Sequence, residues 1–369
     1  MKKILSIMLI GLLVLSCGKK EDDVIKIGAI LPLTGTYAQY GVYMKQGVET
    51  ALEDAIAKGI ISEGQVQIIF EDSQANPQKS VDAFNKLIDI DKICAVIPAT
   101  SAVILALKPI ANKNEIVLIN ATAISPEIED QNDYLFSTIP NAEYESNALA
   151  NFAYNNLNQK NYGVLFRNDQ SGLSFSGCFS DRILELGGKI LFLESILPNT
   201  TDFRTQIAKL KNIPELECIF VACFGTETAY YLKQAMELGF KTQVITYETF
   251  NSQKNLEIAG ISANGLIFCS PVFDKESDDE DVRNLRTKIK AKYNQNEFNF
   301  FIASHYDAMM LILESINRGN FNGTEIKNDI NKLKRFQGVT GEIHFDEYGA
   351  AEVPLSMYTV KNMSIQEIK

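Results

Sequence analysis

The sequence is poor in the residues that most catalytic and metal sites need. It contains only two histidines, His305 and His344, which lie far apart and show no metal-ligand spacing. Neither a Gly-x-Ser-x-Gly nor a His-Glu-x-x-His pattern occurs. No carboxylate pair or activated nucleophile has supporting spacing, so we expect no metal, no cofactor and no enzyme. The formal charge of −11, without any basic run interleaved with aromatics, argues against nucleic-acid binding.

Long hydrophobic runs are confined to the N-terminus. Ile4–Leu15 follows two lysines, is almost entirely apolar, and has the length of a signal-peptide core rather than of a membrane span. Ser16-Cys17 ends this run and resembles a bacterial lipobox, which predicts a lipoprotein signal peptide at 1–16 and lipidation of Cys17. Ordinary secretion and an uncleaved anchor are the alternatives. Residues 17–23 are a charged tether, so we expect a lipid-anchored protein on the extracytoplasmic face of the cell envelope, the periplasmic side where an outer membrane exists.

Five cysteines follow Cys17, and an odd number leaves at least one thiol free in an exported protein. Several of them lie in apolar, strand-like runs, where a thiol serves as a small hydrophobic group. We therefore expect buried thiols rather than a disulfide framework. The sequence leaves open whether any of these residues pair: Cys94, Cys178, Cys218, Cys223 and Cys269.

Strand-like and helix-like segments alternate through almost the whole chain. Residues 24–58 run from an apolar strand through a loop with glycine and tyrosine into a helical pattern. This alternation predicts an α/β fold of two doubly wound parallel sheets, covered by helices, with a ligand cleft between two lobes. The other strand-like runs are 65–72, 93–98, 116–121, 162–167, 189–196, 218–223, 242–247 and 265–270.

The length of the mature chain predicts two domains rather than one. Crossovers between them are expected near Phe136–Asn141 and Cys269–Asp274. The expected first lobe comprises 24–140 plus 271–352, and the expected second lobe comprises 141–270 plus 353–369.

The ordered motifs IKIGAILPLTGTYAQYG, FEDSQANPQKSVDAFNKLI, AVIPATSAVILALKPIANKNEIVLINATAISPEI, YDAM and GVTGEIHFDEYG resemble those of type I periplasmic binding proteins. Within that family the chain is most similar to the leucine/isoleucine/valine-binding branch that serves ABC importers. The resemblance covers essentially the whole mature chain. It implies a hinge-bending trap with two lobes that closes on a small ligand.

The resemblance assigns a carboxylate site to the first lobe. Thr100 and Ser101 follow a strand and begin a helix, where hydroxyl and N–H groups can hold an anion. Ser101 matches the carboxylate-binding serine of the family, although a helix cap is the alternative role. Thr122 matches a second, backbone-mediated contact. Ile124 stands where the family usually has a threonine, so Thr122 or Ser125 substitutes or the anion site is reshaped.

The resemblance assigns the ammonium and side-chain contacts to other loops. Glu248 matches the acid that binds the ligand ammonium, with an exposed carboxylate as the alternative. Phe224 and Ser171 replace tyrosines of relatives, and Tyr40 matches a tyrosine of the first loop. Tyr306 and Asp307 match a family motif, but we interpret them as helix-packing residues.

These features favour a monomeric receptor that delivers an amino acid, branched-chain or otherwise apolar, to the permease and ATPase of an ABC importer. The same fold could instead bind an amide, urea or an aromatic acid, or serve as a sensory receptor. The sequence does not identify the ligand, the membrane leaflet of the anchor or the docking partner.

Overall fold

The computed structural model describes residues 24–129, 132–295, 297–333 and 335–369. The predicted signal peptide at 1–16 and the lipidated tether at 17–23, with Cys17, lie outside the described residues. Two large sheets and one small sheet form the described chain, and helices cover the large sheets. The α/β class predicted from the alternating pattern is confirmed.

The first sheet consists of parallel strands: β1 (Ile25–Leu31), β2 (Val66–Asp72), β3 (Ala95–Pro98), β4 (Val117–Asn120) and β5 (Leu135–Ser137). Their spatial order is β2-β1-β3-β4-β5. Strands β3 and β4 are buried throughout, as a parallel sheet covered on both faces requires. The connecting helices are α1 (Ala38–Ala57), α2 (Pro77–Lys86), which continues as a π-helical turn, and α3 (Ser101–Asn114).

The second sheet is built around β6 (Asn161–Arg167), β7 (Lys189–Ile196), β8 (Cys218–Ala222), β9 (Gln243–Thr246) and β10 (Ile267–Pro271), all parallel. The chain enters this sheet after β5 and leaves it after β10. Its helices are α4 (Ala142–Asn155), α5 (Gln170–Glu185), α6 (Arg204–Leu210), α7 (Gly225–Glu237) and α8 (Gln253–Ala259).

The chain then returns to the first sheet as α9 (Glu280–Tyr293), α10 (Phe300–Asn317) and α11 (Gly323–Ile330). A small antiparallel sheet follows, formed by β11 (Phe336–Gly338), β12 (Gly341–Phe345) and β13 (Ala351–Glu352). Finally β14 (Leu355–Lys361) and β15 (Ser364–Glu367) join the second sheet, whose order is β15-β14-β10-β9-β8-β6-β7. We call the first sheet with α1–α3, α9–α11 and β11–β13 the first lobe, and the rest the second lobe.

The antiparallel strands are a departure from the sequence prediction, which contained two parallel sheets only. Strands β14 and β15 form a hairpin, and β14 runs antiparallel to β10. Asn362 and Met363 in the hairpin turn have φ of 50° and 57°. Two successive positive φ values give a tight turn whose twist matches antiparallel strands, which a helix-crossover pattern does not reveal.

Helix α10 fixes the C-terminal segment onto the first lobe by lying along α1. A Cβ atom at Gly47 would be 2.2 Å from the carbonyl oxygen of Ile302, so only glycine permits this approach. The Tyr306 hydroxyl donates a hydrogen bond to Asp54 over 3.0 Å, and buried Asp307 accepts one from the Val339 amide over 2.8 Å. Both residues therefore help to pack α10, as interpreted from the sequence.

Candidate functional site

A cavity of about 220 Å³ lies between the two lobes, where the carboxyl ends of β3, β4, β8 and β9 face one another. This is where open α/β sheets place their ligands. All predicted ligand-site residues line the cavity: Tyr40, Thr100, Ser101, Thr122, Ile124, Ser171, Phe224 and Glu248. Their contact with a ligand stays a prediction.

The wall contributed by the first lobe begins at the N-terminus of α3. Thr100 occupies the cap position with φ of 77° and ψ of 142°, and no side chain caps the helix. Such a backbone conformation is costly for a residue other than glycine and often occurs at functional sites. The buried Thr100 hydroxyl has no hydrogen-bond partner among the described residues. The helix start therefore leaves N–H groups and a hydroxyl unpaired within the described chain, beside the cavity.

Asn120 holds the neighbouring loop after β4. Its side-chain oxygen accepts hydrogen bonds from the amides of Thr122 and Ala123, over 3.0 Å and 2.7 Å. In this structure the backbone N–H of Thr122, which the resemblance predicts for the ligand, is bound by the side chain of Asn120. Ser101 is also tied to this loop, since its hydroxyl oxygen accepts from the Ser125 amide over 3.4 Å.

The Thr122 hydroxyl still reaches the cavity, and His305 determines its hydrogen-bonding role. Burial lowers the pKa of His305 to about 4, so the ring is neutral at pH 7. Its Nδ1 lies 2.8 Å from the carbonyl oxygen of Phe301 and therefore carries the proton. Nε2 is then an acceptor, 3.4 Å from the Thr122 hydroxyl. Thr122 consequently donates to His305 and presents lone pairs to the cavity.

Glu248 supplies negative charge from the second lobe. It begins a short 3₁₀ helix one residue after β9, and no described amide, hydroxyl or basic side chain donates a hydrogen bond to its buried Oε2 atom. Burial raises the pKa of this carboxyl group above its ordinary value. A buried carboxylate is costly unless a ligand donor, a protonated acid or a cation meets it.

Asp169 is the other acid that lines the cavity, but its charge is balanced inside the protein. One carboxylate oxygen lies 2.5 Å from Nε of Arg167, and the other accepts from the Gly172 amide over 3.0 Å. Arg167 also pairs with Glu227 over 3.3 Å. Among the described lining residues there is no lysine, arginine or histidine, so Glu248 sets the charge of the site.

Aromatic rings form the apolar walls. The ring of Tyr40 lies 5.0 Å from that of Phe301 and 6.3 Å from that of Phe224, centroid to centroid. The guanidinium of Arg167 lies 4.2 Å from the centroid of Phe224 and stacks on it. Tyr40 belongs to the first turn of α1 rather than to a surface loop, which corrects the sequence expectation.

The two lobes touch each other beside the cavity. Nη2 of Arg167 donates to the Tyr37 hydroxyl over 2.5 Å, and the ring of Tyr37 contacts Phe224 edge-on at 6.1 Å. On another side, the Gln170 side chain donates to Ser125 over 3.3 Å and to Glu127 over 3.1 Å. These contacts join the two lobes directly.

Sequence reasoning missed several residues of the site, among them Tyr37, Met44, Asp169, Gln170, Tyr247 and Phe301. Gln170 and Tyr247 each directly precede a predicted site residue, so their position in the sequence was a usable signal. Phe301 comes from α10, far along the chain, and no local pattern connects it with α1.

Three further properties of the described residues concern their disulfide bonding, their metal-binding groups and the capacity of their helices to span a membrane. Cys94, Cys178, Cys218, Cys223 and Cys269 have free thiols, and all except Cys178 are buried. No group of three or more metal-binding side chains occurs within the described ranges. The helices of the described part are all too short or too polar to cross a membrane.

The fold and the cavity define a bilobal α/β ligand-binding protein. Residues 24–364 match the family described as periplasmic binding protein. This match spans most of the chain, and the protein therefore belongs to the periplasmic binding protein family.

Individual relatives confirm the predicted resemblance to the leucine/isoleucine/valine-binding branch. The leucine-, isoleucine-, valine-, threonine- and alanine-binding protein of Pseudomonas aeruginosa is 24% identical over 330 residues, 89% of this chain and 87% of the relative. The crystal structure of a leucine binding protein from Thermotoga maritima is 27% identical, with a TM-score of 0.81, over 94% of this chain and 98% of the other.

Two further structures share the fold and hold different ligands. A branched-chain amino acid transporter substrate binding protein from Streptococcus pneumoniae, in complex with isoleucine, has a TM-score of 0.82 at 24% identity, over 94% of this chain and 99% of the other. A solute binding protein from Rhodopseudomonas palustris, in complex with 3,4-dihydroxybenzoic acid, has a TM-score of 0.80 at 20% identity, over 92% and 94%. The fold alone therefore does not select a ligand class.

Proposed function

We propose that the protein is the substrate-binding component of an ABC importer and captures a free amino acid with an apolar side chain in the cavity between its lobes. The observation that carries this proposal is a pair of unsatisfied polar features on opposite walls. The uncapped start of α3, with the orphaned Thr100 hydroxyl, belongs to the first lobe. The buried carboxyl group of Glu248, which faces no lysine, arginine or histidine among the described lining residues, belongs to the second. A zwitterion supplies an acceptor to one wall and a cationic donor to the other.

The carboxylate of the ligand is expected at α3. Helix N-termini favour anions because their N–H groups are unpaired and the helix dipole is positive there. Ser101 and Thr100 add hydroxyl donors beside these amides. The ammonium is expected between Glu248 and the acceptor face of Thr122. The aliphatic part of the ligand then contacts Tyr40 and Phe224.

An aromatic acid is the second candidate, because aromatic rings surround the cavity and a relative in fold binds one. The charge of the site disfavours it. Such a ligand brings a carboxylate but no cation, so Glu248 would remain an unpaired buried charge. Arg167 does not offset this charge, since Asp169 and Glu227 already bind it.

Ligand contacts with both walls favour closure, because only the closed arrangement satisfies both ends of the zwitterion. In this proposal the moving bodies are 24–140 with 271–352, and 141–270 with 353–369. The closed monomer then delivers its ligand to the permease, and the ATPase drives transport. The sequence around Cys17 supports a lipid anchor at the extracytoplasmic face. No catalytic step and no cofactor is involved.

The test is a thermal-shift panel on the protein purified without denaturation, after native mass spectrometry has identified any retained ligand. Leucine, isoleucine and valine are compared with benzoate, urea and leucinamide. A ligand at about 100 times its Kd stabilises the folded state by about 2.7 kcal/mol. We expect this effect with apolar zwitterions and none with benzoate or urea. Stabilisation by benzoate without stabilisation by leucine would replace the proposal with the aromatic-acid alternative.

A further inference from the structure

A second buried acid interacts with the carboxyl group of Glu248. Glu145 is in the first turn of α4, is 2% exposed, and interacts with the Glu248 carboxyl group through charge and hydrogen bonding. Apart from this contact between the two carboxyl groups, neither Oε2 of Glu145 nor Oε2 of Glu248 has a hydrogen-bond partner among the described residues. Glu145 does not line the cavity. The proposed ammonium site therefore contains two buried carboxyl groups, of which only that of Glu248 lines the cavity.

No cation within the described residues balances this pair. Its titratable neighbours are Tyr247, which follows β9, and Cys269 in β10. Burial raises the pKa of both groups well above their usual ranges, so both are neutral at pH 7. Neither Glu145 nor Glu248 forms an ion pair with a described lysine, arginine or histidine.

Two adjacent carboxylates in a dry site cannot both be ionised, because each raises the free energy of the other's charge. Burial raises the pKa of Glu145 well above its ordinary value, and the neighbouring charge of Glu248 raises it further. The pKa of Glu248 is also raised by burial, but a hydrogen bond from Glu145 opposes this shift. The proton of the pair therefore resides on Glu145, and the charge resides on Glu248.

We infer that Glu145 is a positioning residue that holds a proton at neutral pH, donates a hydrogen bond to Glu248, and so keeps Glu248 ionised and directed at a single ligand ammonium. This inference rests on the proposed function for the identity of the ligand. The proton on Glu145 leaves the site with one negative charge rather than two. It also couples amino-acid affinity to pH, because acidification protonates Glu248 and removes the partner of the ammonium.

Two variants of Glu145 separate hydrogen-bond donation from charge and from packing. Glu145→Gln keeps the shape and a permanent N–H donor, whereas Glu145→Leu keeps bulk and removes the donor. Calorimetry with leucine across pH 5–8 should give the glutamine variant an affinity within about threefold of the wild type and a similar pH midpoint. The leucine variant should bind about tenfold or more weakly, with the acidic loss of affinity moved to higher pH.

A merely structural role for Glu145 would leave the pH midpoint of the leucine variant where the wild type has it, which would overturn the inference. A loss of tenfold or more at pH 7 in Glu145→Gln would also overturn it, because Glu145 would then act as a carboxylate.

Infrared spectroscopy at pH 7 adds a readout that needs no ligand. The wild type minus Glu145→Gln difference spectrum should contain the carbonyl stretch of one protonated carboxylic acid. Its absence refutes the protonated Glu145 even if the protein binds leucine. Its presence supports a protonated Glu145 beside Glu248 even if leucine proves to be the wrong ligand. The spectrum therefore distinguishes failure of this inference from failure of the proposed function.

Discussion

Arg167 in the second lobe donates a hydrogen bond to the hydroxyl of Tyr37 in the first lobe over 2.5 Å, while its guanidinium stacks on Phe224. Arg167 is only 3% exposed and is held from behind by Asp169 and Glu227. A rigid cation on one lobe therefore meets a phenol on the other. In the proposed hinge motion, this contact belongs to the closed form.

We predict that Tyr37→Phe weakens amino-acid binding by about tenfold, which corresponds to roughly 1.4 kcal/mol. A hydrogen bond to a charged group contributes about 1.5–3 kcal/mol, and the variant removes this bond from the closed form alone. Calorimetry measures the affinity, and small-angle scattering measures the radius of gyration. Tyr348→Phe, on a tyrosine that is 41% exposed, is the control. Unchanged affinity and unchanged scattering in Tyr37→Phe would show that the contact does not stabilise closure.

Glu248→Gln is predicted to weaken the binding of an apolar amino acid by roughly 2–5 kcal/mol, the usual cost of removing one partner of a buried charge pair. Titration calorimetry at pH 7 measures this loss. Glu257→Gln makes the same charge change at an exposed position of α8 and should bind normally. If Glu248→Gln binds as tightly as the wild type, the ammonium does not contact Glu248.

Thr100 allows strain and ligand contact to be separated. With φ of 77°, Thr100→Gly should be more stable than Thr100→Ala by about 1–3 kcal/mol, because glycine adopts this conformation without a steric cost. The two variants lack the hydroxyl equally, so both should bind the ligand less tightly. Urea unfolding measures the stability difference. Equal stability of the two variants would mean that the strained backbone relaxes in solution.

His305 should make the protein less stable as the pH falls from 7 to 5. Its pKa is about 4 in the folded protein and about 6.5 in an unfolded chain, so the unfolded state binds more protons in that window. The contribution of His305 to stability is complete above about pH 6.5 and is lost as the pH falls towards 4. Its loss between pH 7 and pH 5 amounts to roughly 2 kcal/mol.

The measurement is urea unfolding at several pH values for the wild type and His305→Gln. The difference in unfolding free energy between them should shrink by that amount at pH 5. NMR of the imidazole protons adds a direct check, because the chain has only two histidines. A His305 signal that titrates near pH 6.5 would contradict the buried neutral ring.

Local pattern was sufficient to predict which residues lie at the ends of strands. Thr100 and Glu248 each follow an apolar run that ends at a break, and the carboxyl ends of parallel strands meet at one edge of a sheet. Residues that directly follow a strand could therefore be assigned to the ligand-binding edge of a sheet from the sequence. The opposition of the two lobes came from the family resemblance, since no periodicity encodes it.

Contacts between distant segments could not be predicted in this way. Glu145 is one acid on an amphipathic helix, and nothing in its surrounding sequence distinguishes it from the exposed acids of other helices. Its burial depends on how α4 packs against β10. The hydrogen bond from the Thr122 amide to the Asn120 side chain was equally unpredictable, because the sequence allows Asn120 to face solvent instead.

The sequence by itself determined the alternation of strands and helices, the fold class, the family and the edge of the sheets where polar residues gather. These properties follow from hydrophobic periodicity and residue order, which are local. The tertiary structure alone decided which polar groups are left without partners, where the proton of the Glu145–Glu248 pair resides, and how Arg167 meets Tyr37. These depend on burial and on distances between remote segments, because desolvation and charge interaction act through space rather than along the chain.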